Sequence, residues 1–395
     1  MKAKKVVKDQ KTNKKEKTEN MTIKAPFELE KLSNDEYILN MGPQHPSTHG
    51  VLRIILKLDG EVVKDLYADV GYIHSSVEKM CENKKYEMIM PYTDRLDYLS
   101  AVNYNWAYAL AVEKLMGITI PERAEYIRVM LAELNRIMSH LLWYSAYGMD
   151  VGALTPIMYA FREREEVIDM IEGMTGGRLT HNAFRFGGFK NDLQKGFMDS
   201  LKKFIGHFND KIDEYEALLI NNVILTARTK GVGILSKETA MSYGVTGPSL
   251  RGSDCAIDLR KTAPYSIYDK FDFKVCTGKN GDTWDRLKVR MDEMRESTKI
   301  LKQAMEGIPA GDIMAKVPKI IKPAPGEVYT KVESARGEFG VYIISDGTDK
   351  PYRIKFRSPS FSNLSVLKEI AIGSKIADVV AIMGSLDLVI PEIDR

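Results

Sequence analysis

Two short stretches of this chain concentrate the side chains that could move protons. Gly42-Pro43-Gln44-His45-Pro46-Ser47-Thr48-His49-Gly50 packs two of the six histidines into nine residues that also hold two prolines and two glycines. Pro46 removes a backbone donor and pushes His45 toward extended geometry, so His45 and His49 are not expected one turn apart on a helix. A rigid loop holding imidazoles offers protons at fixed places, because histidine titrates close to physiological pH. Taken alone, the loop reads as a turn with a capping histidine. The second stretch is Pro91-Tyr92-Thr93-Asp94-Arg95-Leu96-Asp97-Tyr98. Its local reading is a helix start, with Thr93 or Asp94 as cap and Arg95 and Asp97 on the solvated side. Its chemical reading makes Tyr98 a phenol donor into a pocket. A lone acid, Asp150, follows in Gly148-Met149-Asp150-Val151-Gly152. Spacing alone favours a cap for the next turn over a partner for a buried base.

Several other chemistries find no support. Gly247-Pro248-Ser249-Leu250-Arg251-Gly252-Ser253 has phosphate-loop glycine spacing without the lysine, and Gly231-Val232-Gly233 lacks the third glycine of a dinucleotide turn. Nucleotide binding is therefore not expected of this chain. Cys81, Cys255 and Cys276 form no CxxC pair, which argues against a thiolate metal site and for a reducing compartment. The net charge of +3 is local: residues 1–20 hold eight lysines against Asp9, Glu16 and Glu19. The rest of the chain is left at about −2, so no nucleic-acid partner is expected. The tail lacks the apolar segment of a signal peptide. No segment has the ~18 uninterrupted apolar residues of a membrane span, so any membrane role must come through partners.

The elements that must position these residues follow from periodicity. Leu52, Ile54, Leu56 and Leu58 alternate, break at Asp59-Gly60 and resume at Val62-Val63, a hairpin signature. Helical periods cover 105–116, then a long helix with Pro121 at its first position and Ile127, Met130, Leu134, Ile137 and Leu141 on one stripe. Thr155-Pro156 opens another that Gly176-Gly177 closes. Phe197 to Tyr215 marks a helix ending near Leu219, and Leu287 to Ile308 one more, with a loop-rich stretch at 228–282 between them. Strands are expected near 328–334, 338–345 and 352–357. The fold class is α+β, mainly helical. A disordered Lys-rich tail over 1–22 should precede one domain over 23–395, with a β region at about 36–72, a helical core at about 76–310 and a β/α part at about 326–395.

From about Leu39 to Arg395 the chain resembles the NuoD family of respiratory complex I, the D subunits of the proton-pumping NADH:quinone oxidoreductase. The resemblance rests on GPQHPSTHG at 42–50, PYTDRLDY at 91–98, RAEYIRVMLAELNR at 123–136, DVGALTP at 150–156 and AFRERE at 160–165. It continues through TGPSLRGS at 246–253, RLKVRMDEMRES at 286–297 and ESARGEFGVYIISDG at 333–347. The family descends from nickel–iron hydrogenase large subunits, so a hydrogenase-large-subunit-like helical core is implied. Where the ancestral metal is held by a second CxxC pair, this chain has Val389 and Glu392. Losing soft thiolates abolishes such a metal site but can leave a cavity.

In the family that cavity receives the quinone headgroup, beside the terminal iron–sulfur cluster of the neighbouring B subunit. The resemblance assigns His49 and Tyr98 as headgroup ligands and Asp150 as the acid that pairs with the histidine, raising its pKa. His45, Thr48 and Asp97 are expected to support them. His74, His140, His181 and His207 are expected to be structural, with His140 on the polar side of its helix. No metal is expected in this chain, and NADH is expected on another subunit. Implied partners are the B, C, H and I subunits of complex I and neighbouring membrane subunits, on the cytoplasmic side of a bacterial membrane. A ferredoxin- or deazaflavin-fed complex, a scaffold role and a hydrogenase remain the alternatives, the last opposed by the missing cysteines.

The chain also departs from the family. Ser75 follows Gly71-Tyr72-Ile73-His74 where many members carry arginine, and Thr180 replaces a histidine near the cluster, with His181 one place later. A cation near a cluster favours its reduced form, so losing both should lower its potential and favour menaquinone. Leu388 stands where proline is usual, and the linker near 310–326 is shorter than in many relatives.

Overall fold

The computed structural model describes residues 28–31, 36–44 and 51–395. A four-stranded antiparallel sheet comes first, ordered β1 (Glu28–Lys31), β2 (Glu36–Met41), β3 (Arg53–Asp59) and β4 (Val62–Asp69). In β3 the expected alternation holds: Ile54, Leu56 and Leu58 are buried and Arg53, Ile55 and Lys57 face outward. Asp59 pairs with Val62 across a two-residue turn whose Gly60 has φ 59°. That left-handed conformation is why glycine follows the aspartate. The alternation in sequence pointed to β3 and β4; the outer pair β1 and β2 completes the sheet.

The helices follow: α1 (Val77–Cys81), α2 (Tyr86–Leu96), α3 (Ala101–Met116), α4 (Glu122–Asp150), α5 (Thr155–Thr175), α6 (Phe197–Tyr215) and α7 (Val223–Thr229). Gly117 and Gly176, at φ 65° and 79°, end α3 and α5 in the left-handed conformation typical of helix ends. Pro121 precedes α4 rather than opening it. In α6 the stripe Phe197, Leu201, Phe204, Phe208, Ile212 and Tyr215 is buried, and a wider π-helical turn runs on to Ile220. The stretch expected to be loop-rich holds three short α-helices, α8 (Lys237–Ser242), α9 (Pro248–Arg251) and α10 (Leu259–Thr262), and a 3-10 turn at Tyr268–Lys270. Asp282 caps α11 (Thr283–Gly307) by accepting from the Asp285 N–H at 2.8 Å.

The expected C-terminal strands form an antiparallel sheet of β5 (Gly326–Ser334), β6 (Gly337–Ser345) and β7 (Arg353–Arg357). Four helices end the chain: α12 (Pro359–Ser365), α13 (Leu367–Ala371), α14 (Ile376–Leu386) and α15 (Ile390–Asp394). The fold class is α+β and mainly helical, as the sequence indicates. Among the described residues, no helix is long and apolar enough to cross a membrane.

Two apolar cores result. One joins α3 to α6 and α11 to the C-terminal sheet. The other packs Ile54 and Leu56 against Leu367, Val379, Ile382 and Leu386. Helix α4 touches α3, α5, α11 and α14, so it is enclosed on most sides. This corrects the expectation for His140: it is fully buried, 3.1 Å from Glu293 Oε2 on α11, because α4 offers no solvated face there. Burial holds its pKa below the usual value, against the pull of Glu293. Some of the other charges inside the bundle are paired. Arg128 makes a two-pronged contact with Glu113 at 2.6 and 2.8 Å, joining α4 to α3.

Candidate functional site

Segment 91–98 closes a helix instead of starting one. Tyr86, Ile89 and Met90 bury one side of α2, which carries the chain through Pro91 to Leu96. Thr93 donates to the Met90 carbonyl at 2.8 Å, and Asp94 accepts from Asn105 and from the Asn182 N–H, so neither caps a start. Asp97 is not solvated either: it is wholly buried. Its Oδ1 accepts from the Leu99 N–H at 3.0 Å and the Ser100 N–H at 3.2 Å, which turns the chain at the end of α2. That turn leaves Tyr98 38 % exposed and places it in the lining of a cavity.

The cavity measures about 200 Å³. Besides Tyr98 it is lined by Trp143, Tyr147 and Asp150 from α4, by Arg336, and by the Asp387–Pro391 segment. Residues 143, 147 and 150 share a helical face at i, i+4 and i+7 spacing. Asp150 is the last residue of α4 and caps nothing: among the described residues it has no hydrogen-bond partner, and the following N–H groups bond to backbone carbonyls. Burial pushes its carboxyl up to about 6. Burial also raises the Tyr98 phenol. Both groups thus hold their protons more tightly than in water.

Arg336 occupies the two-residue turn between β5 and β6 and is fully buried. Its Nη1 donates to Asp97 Oδ2 at 2.9 Å and to Ser139 Oγ at 3.0 Å, and its Nη2 to Asp387 Oδ1 at 3.1 Å. Burial opposes its charge, but Asp387 and Asp97 outweigh that and hold the guanidinium above its usual range. Burial drives the Asp97 carboxyl up, against the pull of Arg336. Glu392 lies behind the wall, where it accepts from Tyr104 and from the Ser360 N–H. Burial pushes it up to about 7.

Of the residues singled out in the sequence, Tyr98 and Asp150 line one cavity, and Asp97 stands behind Tyr98. His49, His45 and Thr48 lie outside the described residues, but Val51 lines the same cavity. Sequence reasoning missed Trp143, Tyr147, Arg336 and Asp387. Arg336 lies inside the ESARGEFG run, whose composition gave no sign that a turn would bury it. His74 bonds the Asp394 carbonyl at 2.5 Å and Ser75 is exposed. His181 is buried, its Nδ1 2.8 Å from the Gly177 carbonyl. A larger cleft of about 510 Å³, between Phe184–Phe186 and Met314–Ile321, holds none of the candidate residues. Glu163, Glu166 and His207 approach one another closely enough to hold a cation, but Glu163 already accepts from Arg162 and Tyr215.

Comparison with known proteins gives the family. The family described as respiratory-chain NADH dehydrogenase, 49 Kd subunit, matches residues 150–324 and 319–395. The NADH-quinone oxidoreductase D subunit of Dehalococcoides mccartyi strain 195 is 52% identical over 365 residues, which is 92% of this chain and 100% of that protein. The corresponding D 2 subunit of Solibacter usitatus is 52% identical over 364 residues, covering 92% of this chain and 98% of its own. The D subunit of Carboxydothermus hydrogenoformans is 50% identical over 363 residues, covering 92% and 100%.

Proposed function

The chain belongs to the respiratory-chain NADH dehydrogenase 49 kDa subunit family, and from that membership and the geometry of the cavity we propose that it binds a quinone headgroup and supplies its protons. It acts as the D subunit of a complex-I-type NADH:quinone oxidoreductase. One observation carries the reading: Tyr98 and Asp150, on different elements, line one cavity together with the Arg336 guanidinium.

Quinone reduction to quinol consumes two electrons and two protons, and the protons must reach the oxygens where negative charge develops. The electrons would be supplied by a tetranuclear iron–sulfur cluster of the neighbouring B subunit. Tyr98 donates a hydrogen bond, then a proton, to one headgroup oxygen. His49 serves the other, with His45 and Thr48 beside it, and Asp150 orients that imidazole and favours its charged form. Asp97 fixes the turn that aims Tyr98, and Arg336 adds positive potential to the wall. Trp143 and Tyr147, stacked with ring centroids 5.6 Å apart, give the apolar surface a quinone ring requires.

The B, C, H and I subunits are the proposed neighbours, on the cytoplasmic side of the membrane, and the membrane-embedded chains of the complex carry the coupled proton translocation. Ser75 and Thr180, where the family often has cations, favour menaquinone as the acceptor. Tyr98→Phe in the purified complex tests the assignment. Quinone reduction should fall by roughly a hundredfold or more, the range of general acid catalysis, while NADH oxidation by ferricyanide persists. Full quinone reduction by an assembled Tyr98→Phe complex would leave the chain a scaffold.

A further inference from the structure

Arg290 lies one turn beyond Arg286 on α11 and is completely buried. Its guanidinium stacks on Trp143, a cavity-lining residue, 4.6 Å from the ring centroid. Nη1 donates to the Arg286 carbonyl at 2.8 Å. Nε and Nη2 find no acceptor among the described residues, and Asp387 Oδ2 finds no donor. Nε and Oδ2 face each other at 3.9 Å, too far for a direct hydrogen bond.

Buried polar atoms are nearly always paired, and those on charged groups are the costliest to leave alone. Here unpaired donors on one guanidinium meet an unpaired acceptor on one carboxylate. A single group could satisfy both only if it accepts from nitrogen and donates to oxygen. Water does this, and two contacts of normal length readily span the interval. A quinone carbonyl cannot donate, and these atoms are closed off from the cavity surface.

Asp387 also sits in the left-handed region at φ 54°, which is costly for a residue with a Cβ. Such a conformation persists where the surroundings hold it. Arg336 holds Oδ1 from one side. Arg290 faces Oδ2 across that interval, and no hydrogen-bond donor reaches Oδ2 among the described residues. Burial holds the Arg290 guanidinium down to about 10, against the pull of Asp387.

We propose that Arg290 and Asp387 share a buried water, and that Arg290 acts through it as a positioning residue that keeps Arg336 presented to the cavity. The inference rests on the cavity being the quinone site. Maps of the whole complex should show a solvent peak within hydrogen-bonding reach of Arg290 Nε and Asp387 Oδ2, absent in Arg290→Met. In Arg290→Met the KM for a short-chain quinone should rise about tenfold, the worth of one charge-assisted hydrogen bond, with ferricyanide reduction unchanged. Arg290→Lys, which can still donate to the water, should restore most of the affinity. It also serves as the test if the Met variant fails to assemble, since loss of both peak and affinity in the Lys variant would count against the idea. A direct Arg290–Asp387 contact without a peak, or an unchanged KM in Arg290→Met, overturns it. If Arg290→Met is silent while Tyr98→Phe is inactive, only this inference falls; if Tyr98→Phe is fully active, the quinone assignment itself falls.

Discussion

Gly384 on α14 backs onto Asp150 on α4 so closely that a Cβ there would lie 3.5 Å from Asp150 Oδ2, and 3.0 Å from Tyr147 Cδ2. The Gly384 carbonyl also accepts from Trp143 Nε1 at 2.9 Å. The carbonyl of this one position, or a Cβ placed on it, thus reaches three of the five α4 residues that line the cavity. With no side chain of its own, Gly384 lets α14 set the depth at which the acid and the two rings sit.

Gly384→Ala should separate stability from activity. Alanine gains about 1 kcal/mol in helix propensity, which offsets the strain of moving the Tyr147 ring by a few tenths of an ångström. The expected outcome is a thermal midpoint within a few degrees of wild type and a several-fold loss of quinone reduction. A large fall in the midpoint with full activity per folded complex would contradict this.

Asp150 ties stability to pH with a definite sign. The fold raises its pKa from 3.8 to about 6 by burial, so it prefers the neutral acid. Its contribution is complete below pH 3.8 and is lost as pH rises through about 6. Asp150→Asn should therefore match wild type near the lower value and exceed it at pH 8, as read by thermal unfolding of the purified subunit at several pH values. A difference that does not change with pH would show that burial is not the cause.

Arg128 and Glu113 test the polar bracing of the bundle. Glu113 Oε1 accepts both from Arg128 and from the Gly187 N–H at 2.8 Å, so one carboxylate joins α3, α4 and the loop after α5. Arg128→Met should cost about 3–5 kcal/mol, because it strands a buried carboxylate. Denaturant unfolding would measure it, and adding Glu113→Leu should recover part of the loss.

On the proposed placement of this chain beside the terminal cluster, that cluster should have a low midpoint potential with weak pH dependence, since Ser75 and Thr180 carry no charge. An EPR redox titration reads this directly. Ser75→Arg should raise the midpoint. A native midpoint that is high and steeply pH-dependent would remove the case for menaquinone.

Some elements were legible because one local rule decided them. The two-residue period of β3, the glycine after α5 and the stripe of α6 each follow from backbone geometry and a single buried face. Segment 91–98 misled for a physical reason. Its Pro, Thr and Asp mimic a helix start, yet burial of Tyr86, Ile89 and Met90 carries α2 past Pro91. His140 misled because periodicity assigns a polar residue to a wet face, and α4 at that level has none.

Family, fold class and the residue types able to carry protons could all be read along the chain, because they are written in contiguous motifs. That Tyr98, Asp150 and Arg336 meet is a result of packing alone. Arg336 and Asp387 could not have been picked out beforehand, since an arginine or aspartate gains its role only once it is buried. Removed from water, each charge needs a partner within a few ångströms, and the way distant elements pack determines which partner that is.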